Sequence, residues 1–135
     1  MRKEINNVLV AENKGIDAAY LRLMLERNGW KADIVTDGEE ALRRIEEKQY
    51  AFLLISNNLN SLKGTEVIGK IRESEAISQS HLPILGVASC SLVSERKKYL
   101  NAGVDYCITK PVYQRSLFEI INTLFEDINI SVSVA

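Results

Sequence analysis

Short unbroken apolar runs alternate along the chain with stretches in which apolar residues recur every three or four positions. Val8-Leu9-Val10-Ala11, Ala51 to Ile55, Pro83 to Ala88 and Tyr106-Cys107-Ile108 are of the first kind, the pattern of strands covered on both faces of a parallel sheet. Ala32 to Val35 is half polar and fits a strand near the sheet edge. Ile16, Ala19, Tyr20 and Leu23 fall at i, i+3, i+4, i+7 and mark a helix, and Leu117, Ile120, Ile121, Leu124 and Ile128 mark another. Val67, Ile68 and Ile71 define a third helix, and Ala41, Leu42 and Ile45 a fourth. The fourth starts at Asp37, whose carboxylate can cap free amides while Glu39 and Glu40 complement the helix dipole. Leu92 to Ala102 is the fifth, with only a narrow apolar stripe because Arg96, Lys97 and Lys98 interrupt it. Asn28-Gly29 ends the first helix, the glycine supplying a left-handed conformation, and Trp30 after it reads as a packing residue.

Strand and helix thus alternate five times with short links. Right-handed crossovers then give an α/β doubly wound parallel sheet with helices on both faces. The flavodoxin-like strand order 2-1-3-4-5 is the expected one, and it places a crevice beyond the carboxyl ends of strands 1 and 3. Function is therefore to be sought near Glu12, Ser56, Ala88 and Lys110. One domain over residues 7–126 accounts for the pattern. In residues 127–135, Ile128, Ile130, Val132 and Val134 alternate with polar neighbours, and a frayed tail is expected there rather than an ordered strand.

Composition narrows the classes. At 135 residues, 46% hydrophobic and 26% charged, the chain is a globular domain of ordinary make-up. Its formal charge of -1 mixes both signs and offers no blanket field for nucleic acid or an anionic membrane. No apolar run approaches the ~20 residues that span a bilayer, and Met1 to Asn7 is too polar for a signal peptide, so a cytoplasmic location is expected. Cys90 and Cys107 lack metal-ligand spacing and read as two buried or half-buried free thiols.

Candidate chemistry is sparse. Gly64-Thr65-Glu66-Val67-Ile68-Gly69-Lys70 has the glycine-lysine spacing of a phosphate-binding loop, but Ile71 stands where a magnesium-ligating hydroxyl is needed, and its apolar residues sit at helical spacing. It is a chance match. His81 is the only histidine, which excludes a multi-histidine metal site and leaves a solvated loop residue. No nucleophile, base and orienter set forms. Lys110-Pro111 closes strand 5 at the crevice, where the lysine either reaches a negative group on strand 1 or 3 or stands alone at the surface.

Val8-Leu9-Val10-Ala11-Glu12-Asn13, the run Tyr50 to Gly64, and Ala102-Gly103-Val104-Asp105-Tyr106-Cys107-Ile108-Thr109-Lys110-Pro111 together resemble the receiver domains of two-component response regulators. The similarity covers residues 7 to 126 in order and spacing, and the alanine-glutamate opening looks most like receivers fused to hybrid sensor kinases. The resemblance implies a site in which an acidic pair and a strand-3 aspartate hold magnesium while that aspartate takes phosphate from a histidine kinase; such a cation requires oxygen ligands. Carried onto this chain, the acidic pair falls on Glu12 and Asn13, the acceptor on Ser56, the strand-4 hydroxyl on Ala88, the switching aromatic on Cys107 and the lysine on Lys110. One of three carboxylates survives, so magnesium binding is expected to be weak or absent. Ser89 is displaced to the other face.

Glu12 and Lys110 are expected to form a partly buried ion pair, with Asn13 and Ser56 completing its hydrogen bonds. These substitutions point to a pseudo-receiver, not an enzyme, that serves as a phosphorylation-independent protein-interaction or dimerisation module. Its partner would be a histidine kinase or another signalling domain, bound or self-associated through the face of helix 4, strand 5 and helix 5. An atypical receiver that still takes up phosphate, and a small-ligand sensor using the same crevice, are the competing readings.

Overall fold

Among the described residues, apolar runs and helical repeats settle into five strands and five helices that alternate along the chain. A computed structural model describes residues 5–89 and 92–134, with side chains through residue 125. The elements are β1 (Asn7–Ala11), α1 (Gly15–Arg27), β2 (Lys31–Val35), α2 (Gly38–Glu47), β3 (Phe52–Ser56), α3 (Gly64–Ser78), β4 (Ile84–Ala88), α4 (Val93–Ala102), β5 (Tyr106–Thr109) and α5 (Gln114–Val134). All neighbouring strands are parallel, in the order β2-β1-β3-β4-β5. The half-polar segment around Ala32 is indeed an edge strand, and the expected topology is the one observed.

Strand side chains alternate between the two faces, and each face has its own helices. Val8, Val10, Phe52, Leu54 and Leu85 pack with Leu21, Met24 and Leu25 of α1 and with Leu117, Ile121 and Leu124 of α5. Trp30 belongs to this layer as a packing residue: its ring meets Phe52 edge-on at 5.2 Å between centroids and stacks on Phe125 at 5.7 Å. Leu9, Ala11, Leu53, Ile55 and Ile84 face the opposite way onto Ala41, Val67, Ile68, Ile71 and Tyr99. Asp37 caps α2 as its position predicts, accepting bonds from the amides of Glu39 and Glu40.

Two expectations are corrected. Helix α1 exists, but the face it buries is Ala18, Leu21, Met24 and Leu25, whereas Ile16 is 86% exposed and Tyr20 and Leu23 are half exposed. The helix carries two apolar stripes, and the one with the long, flexible Leu and Met side chains fits over Val8 and Val10. The segment read as a frayed tail continues α5 as helical backbone to Val134. Its alternating apolar residues therefore do not mark a strand. Cys107 is a half-buried free thiol, while Cys90 lies outside the described residues.

Gly64 fixes where α3 begins. Its amide donates to the Asn57 carbonyl at 3.0 Å, and a Cβ at this position would overlap the Ser56 carbonyl oxygen at the end of β3. The Gly64-to-Lys70 segment lies inside this helix, so it is no phosphate loop. We predict that Gly64→Ala lowers stability by about 1–3 kcal/mol, the usual cost of forcing atoms into a packed site. Urea unfolding read by circular dichroism tests this, and an unshifted midpoint would refute the close approach.

Candidate functional site

The carboxyl ends of β1, β3 and β5 converge on one buried carboxylate. Glu12 follows β1 and is only 2% exposed. Its Oε1 accepts from the Ser56 hydroxyl at 2.6 Å and lies 2.8 Å from Lys110 Nζ, while its Oε2 accepts from the Lys14 amide at 3.1 Å. A buried charge without such partners would be strongly unfavourable. Lys110 is placed from both ends: its backbone amide donates to the Ala88 carbonyl at 2.9 Å, and Nζ also donates to Asp17 Oδ2 at 2.8 Å. The Lys110–Pro111 peptide bond is cis. Burial of the ammonium opposes its charge, but the bonds it donates to Asp17 and Glu12, with their negative charges, outweigh that, and the Lys110 pKa is raised.

The expected Glu12–Lys110 pair with Ser56 is thus present, and the expectation for Asn13 is corrected. Asn13 is exposed, and among the described residues no hydrogen bond of its side chain reaches the pair. One residue beyond Glu12 the chain has turned outward, and the second acid comes instead from Asp17 in the first turn of α1. Ala88 is fully buried at the end of β4, and Ser89 after it is exposed and bonds Glu95. Cys107 is half-buried in the layer beneath α4, and burial pushes its thiol pKa up.

The receiver-domain family model matches residues 8–122, a span that takes in all five strands except the first residue of β1. The chain belongs to the response regulator receiver domain family. It is 33% identical over 121 residues to a hybrid signal transduction histidine kinase of Dictyostelium discoideum, aligning 86% of this chain with 7% of that protein. A two-component response regulator of Arabidopsis thaliana is 26% identical, over 93% of this chain and 88% of its own length. Among solved structures, the receiver domain of a sensor histidine kinase from Pseudomonas aeruginosa superposes with a TM-score of 0.79 at 25% identity, covering 89% of this chain and 97% of that one. That structure has a magnesium ion coordinated in its active-site cleft. The chain therefore spans a small fraction of the first kinases it matches, and it is a receiver domain of two-component phosphorelay signalling.

Elsewhere in the receiver, His81 is not simply solvated. It lies 2.7 Å from Asp105 and 3.4 Å from Arg72, which also bonds Glu75, Asp105 and the carbonyls of Leu82 and Gly103. That cluster ties α3 to the start of β4, at the opposite end of the sheet from Glu12. No described helix is long and apolar enough to cross a membrane.

Two residues that shape the site went unnoticed in the sequence, Asp17 and Tyr99. For Asp17 the available signal was an acid in the first helical turn after β1, the turn nearest the crevice. Truncating Lys110 strands Glu12 as a buried charge, so we predict that Lys110→Met costs about 3 kcal/mol, the lower end for breaking a buried pair. A folded pKa raised above the unfolded one stabilises below the unfolded value, near pH 10.4, and is lost as pH rises through the folded value. The difference between wild type and Lys110→Met in urea unfolding should hold from neutral pH to about 10 and shrink above it; a difference already gone in the neutral range would refute the pair's contribution.

Proposed function

We propose that this receiver works without accepting a phosphoryl group, as a docking or dimerisation module within two-component phosphorelay signalling. The observation that carries the reading is Ser56. At the end of β3, where the resemblance places the acceptor aspartate, a hydroxyl is committed as donor to the buried Glu12 carboxylate at 2.6 Å. A serine there can carry a phosphate ester only through chemistry unlike aspartyl transfer.

The residues present do not fit magnesium. Glu12 and Asp17 each lie 2.8 Å from the Lys110 ammonium, so both carboxylates already face a cation. Among the described residues no group of three or more His, Cys, Asp or Glu is arranged so that it could hold a metal ion. A hard divalent ion needs several oxygen ligands and would have to displace the lysine and strip water at once. Lys110 supplies internally the charge balance that a metal would bring.

The module is accordingly proposed to be non-catalytic and cytoplasmic, with a protein partner and neither nucleic acid nor membrane as a target. Its relationship to hybrid kinases favours a histidine kinase or an attached signalling domain. The face of α4, β5 and α5 is proposed as the contact or homodimer surface, since Leu92, Val93, Leu100 and Tyr113 expose apolar side chains there beside Arg96, Lys97 and Lys98.

Incubating the chain with magnesium and acetyl phosphate and reading intact mass tests the first claim: no phosphoryl adduct is expected, and a base-labile adduct would overturn it. For the second, Val93→Asp together with Leu100→Asp should leave stability within about 0.5 kcal/mol each, as exposed changes do. The pair should also abolish any concentration-dependent self-association in sedimentation. Undiminished self-association would move the interface elsewhere.

A further inference from the structure

Tyr99 is the one buried side chain of α4 among the described residues. Its ring is 1% exposed and lies flat on β4 over Gly86, where an added Cβ would stand 2.5 Å from Cδ1 and 3.0 Å from Cε1 and Cγ. Gly86 and Cys107 are register partners on β4 and β5. A residue without a side chain and one with a small side chain thus stand side by side, and the phenol ring occupies the space above Gly86.

The hydroxyl extends the ring toward the carboxyl ends of the strands. It donates to the Val87 carbonyl at 3.0 Å, and Val87 is the register partner of Ser56 on β3. Asn57 is the residue after Ser56, and it organises the start of α3: its side chain accepts from the Thr65 amide at 3.0 Å and its carbonyl from the Gly64 amide at 3.0 Å. A single side chain of α4 is therefore bonded to the β4 residue that pairs with Ser56, one position before Asn57. Burial holds the phenol neutral by raising its pKa well above the ordinary tyrosine value, which keeps the proton available for donation.

We propose that Tyr99 is a latch that locks α4 onto β4 and couples it mechanically to the β3–α3 loop at Asn57, so that α4 and the pocket loop open together. Apart from half-buried Ala102 and Glu95, which bonds Ser89, the other side chains of the helix are exposed, so this ring and its hydroxyl are its principal anchor. The coupling concerns how α4 is held and is separate from whether Ser56 takes up phosphate. Removing the hydroxyl keeps the ring packed over Gly86 and deletes only the polar link.

Native-state hydrogen exchange on the full chain, resolved by residue with NMR, tests the latch. Tyr99→Phe should speed exchange of the α4 amides and of the Asn57 amide by about tenfold, the factor that one ordinary hydrogen bond of net strength supplies. Amides of β1 and α1 should keep their rates. Gly86→Ala, which presses the ring off β4 while leaving the hydroxyl in place, should give the same pattern; if that variant does not fold, Tyr99→Phe alone decides. Unchanged α4 protection in Tyr99→Phe would overturn the proposal, as would acceleration of α4 without Asn57 or an equal acceleration of every amide. Phosphoryl uptake is read by mass on the unmodified chain, so a failed latch and a failed docking reading give different results.

Discussion

A carboxylate removed from water dictates the arrangement around it. Glu12 is almost wholly buried, and its stability in the folded chain depends on donors that no single element provides. Ser56 comes from β3, Lys110 from the end of β5, and the Lys14 amide from the turn into α1. These groups meet only if β1, β3 and β5 end at the same height in the sheet. The parallel register delivers this, with Ser56 opposite Val87 and Ala88 opposite Thr109. Sheet order and site are one constraint seen from two sides: a register slip would misalign the core layers and leave a charge unpaired.

The position of Asp17 changes the electrostatic picture from a simple pair to a shared cation. Lys110 stands between two carboxylates, so the three groups together retain one negative charge. Asp17 is more exposed than Glu12, and solvent screens its part of the interaction. Glu12 therefore bears most of the dependence on Lys110, while Asp17 orients the ammonium and tethers the first turn of α1 to β5.

Much of the fold was legible because the strands are apolar on both faces and the links between elements are short. Asp37 signalled the start of α2 through its chemistry, and Lys110 signalled the pocket by closing the fifth strand. What was illegible shares one physical cause: periodicity counts apolar residues but does not say which stripe meets the sheet. Helix α1 presented Ile16, Tyr20 and Leu23 as a plausible face and buried Leu21, Met24 and Leu25 instead. Asn13 was expected at the ion pair by adjacency, yet a helical turn brought Asp17 there from five residues past Glu12. Tyr99 was hidden among lysines, and its burial becomes intelligible only with Gly86, which is far away in sequence and directly beneath it in space.

A conformational switch requires a ligand that interacts more favourably with one state than with another, and the shift it produces cannot exceed that difference. Uncompensated charge is one source of such a difference, because an arriving cation or anion then changes the balance substantially. Around Glu12 the acceptors already have donors, and no described buried side-chain polar atom lacks a partner. An ion entering the pocket would have to replace satisfied bonds with others of similar worth. The energetic leverage for switching is small there, which is the physical argument for the docking role proposed above. On that proposal, regulation would fall to whatever controls local concentration beside the partner, since proximity alone can set occupancy without any change of shape.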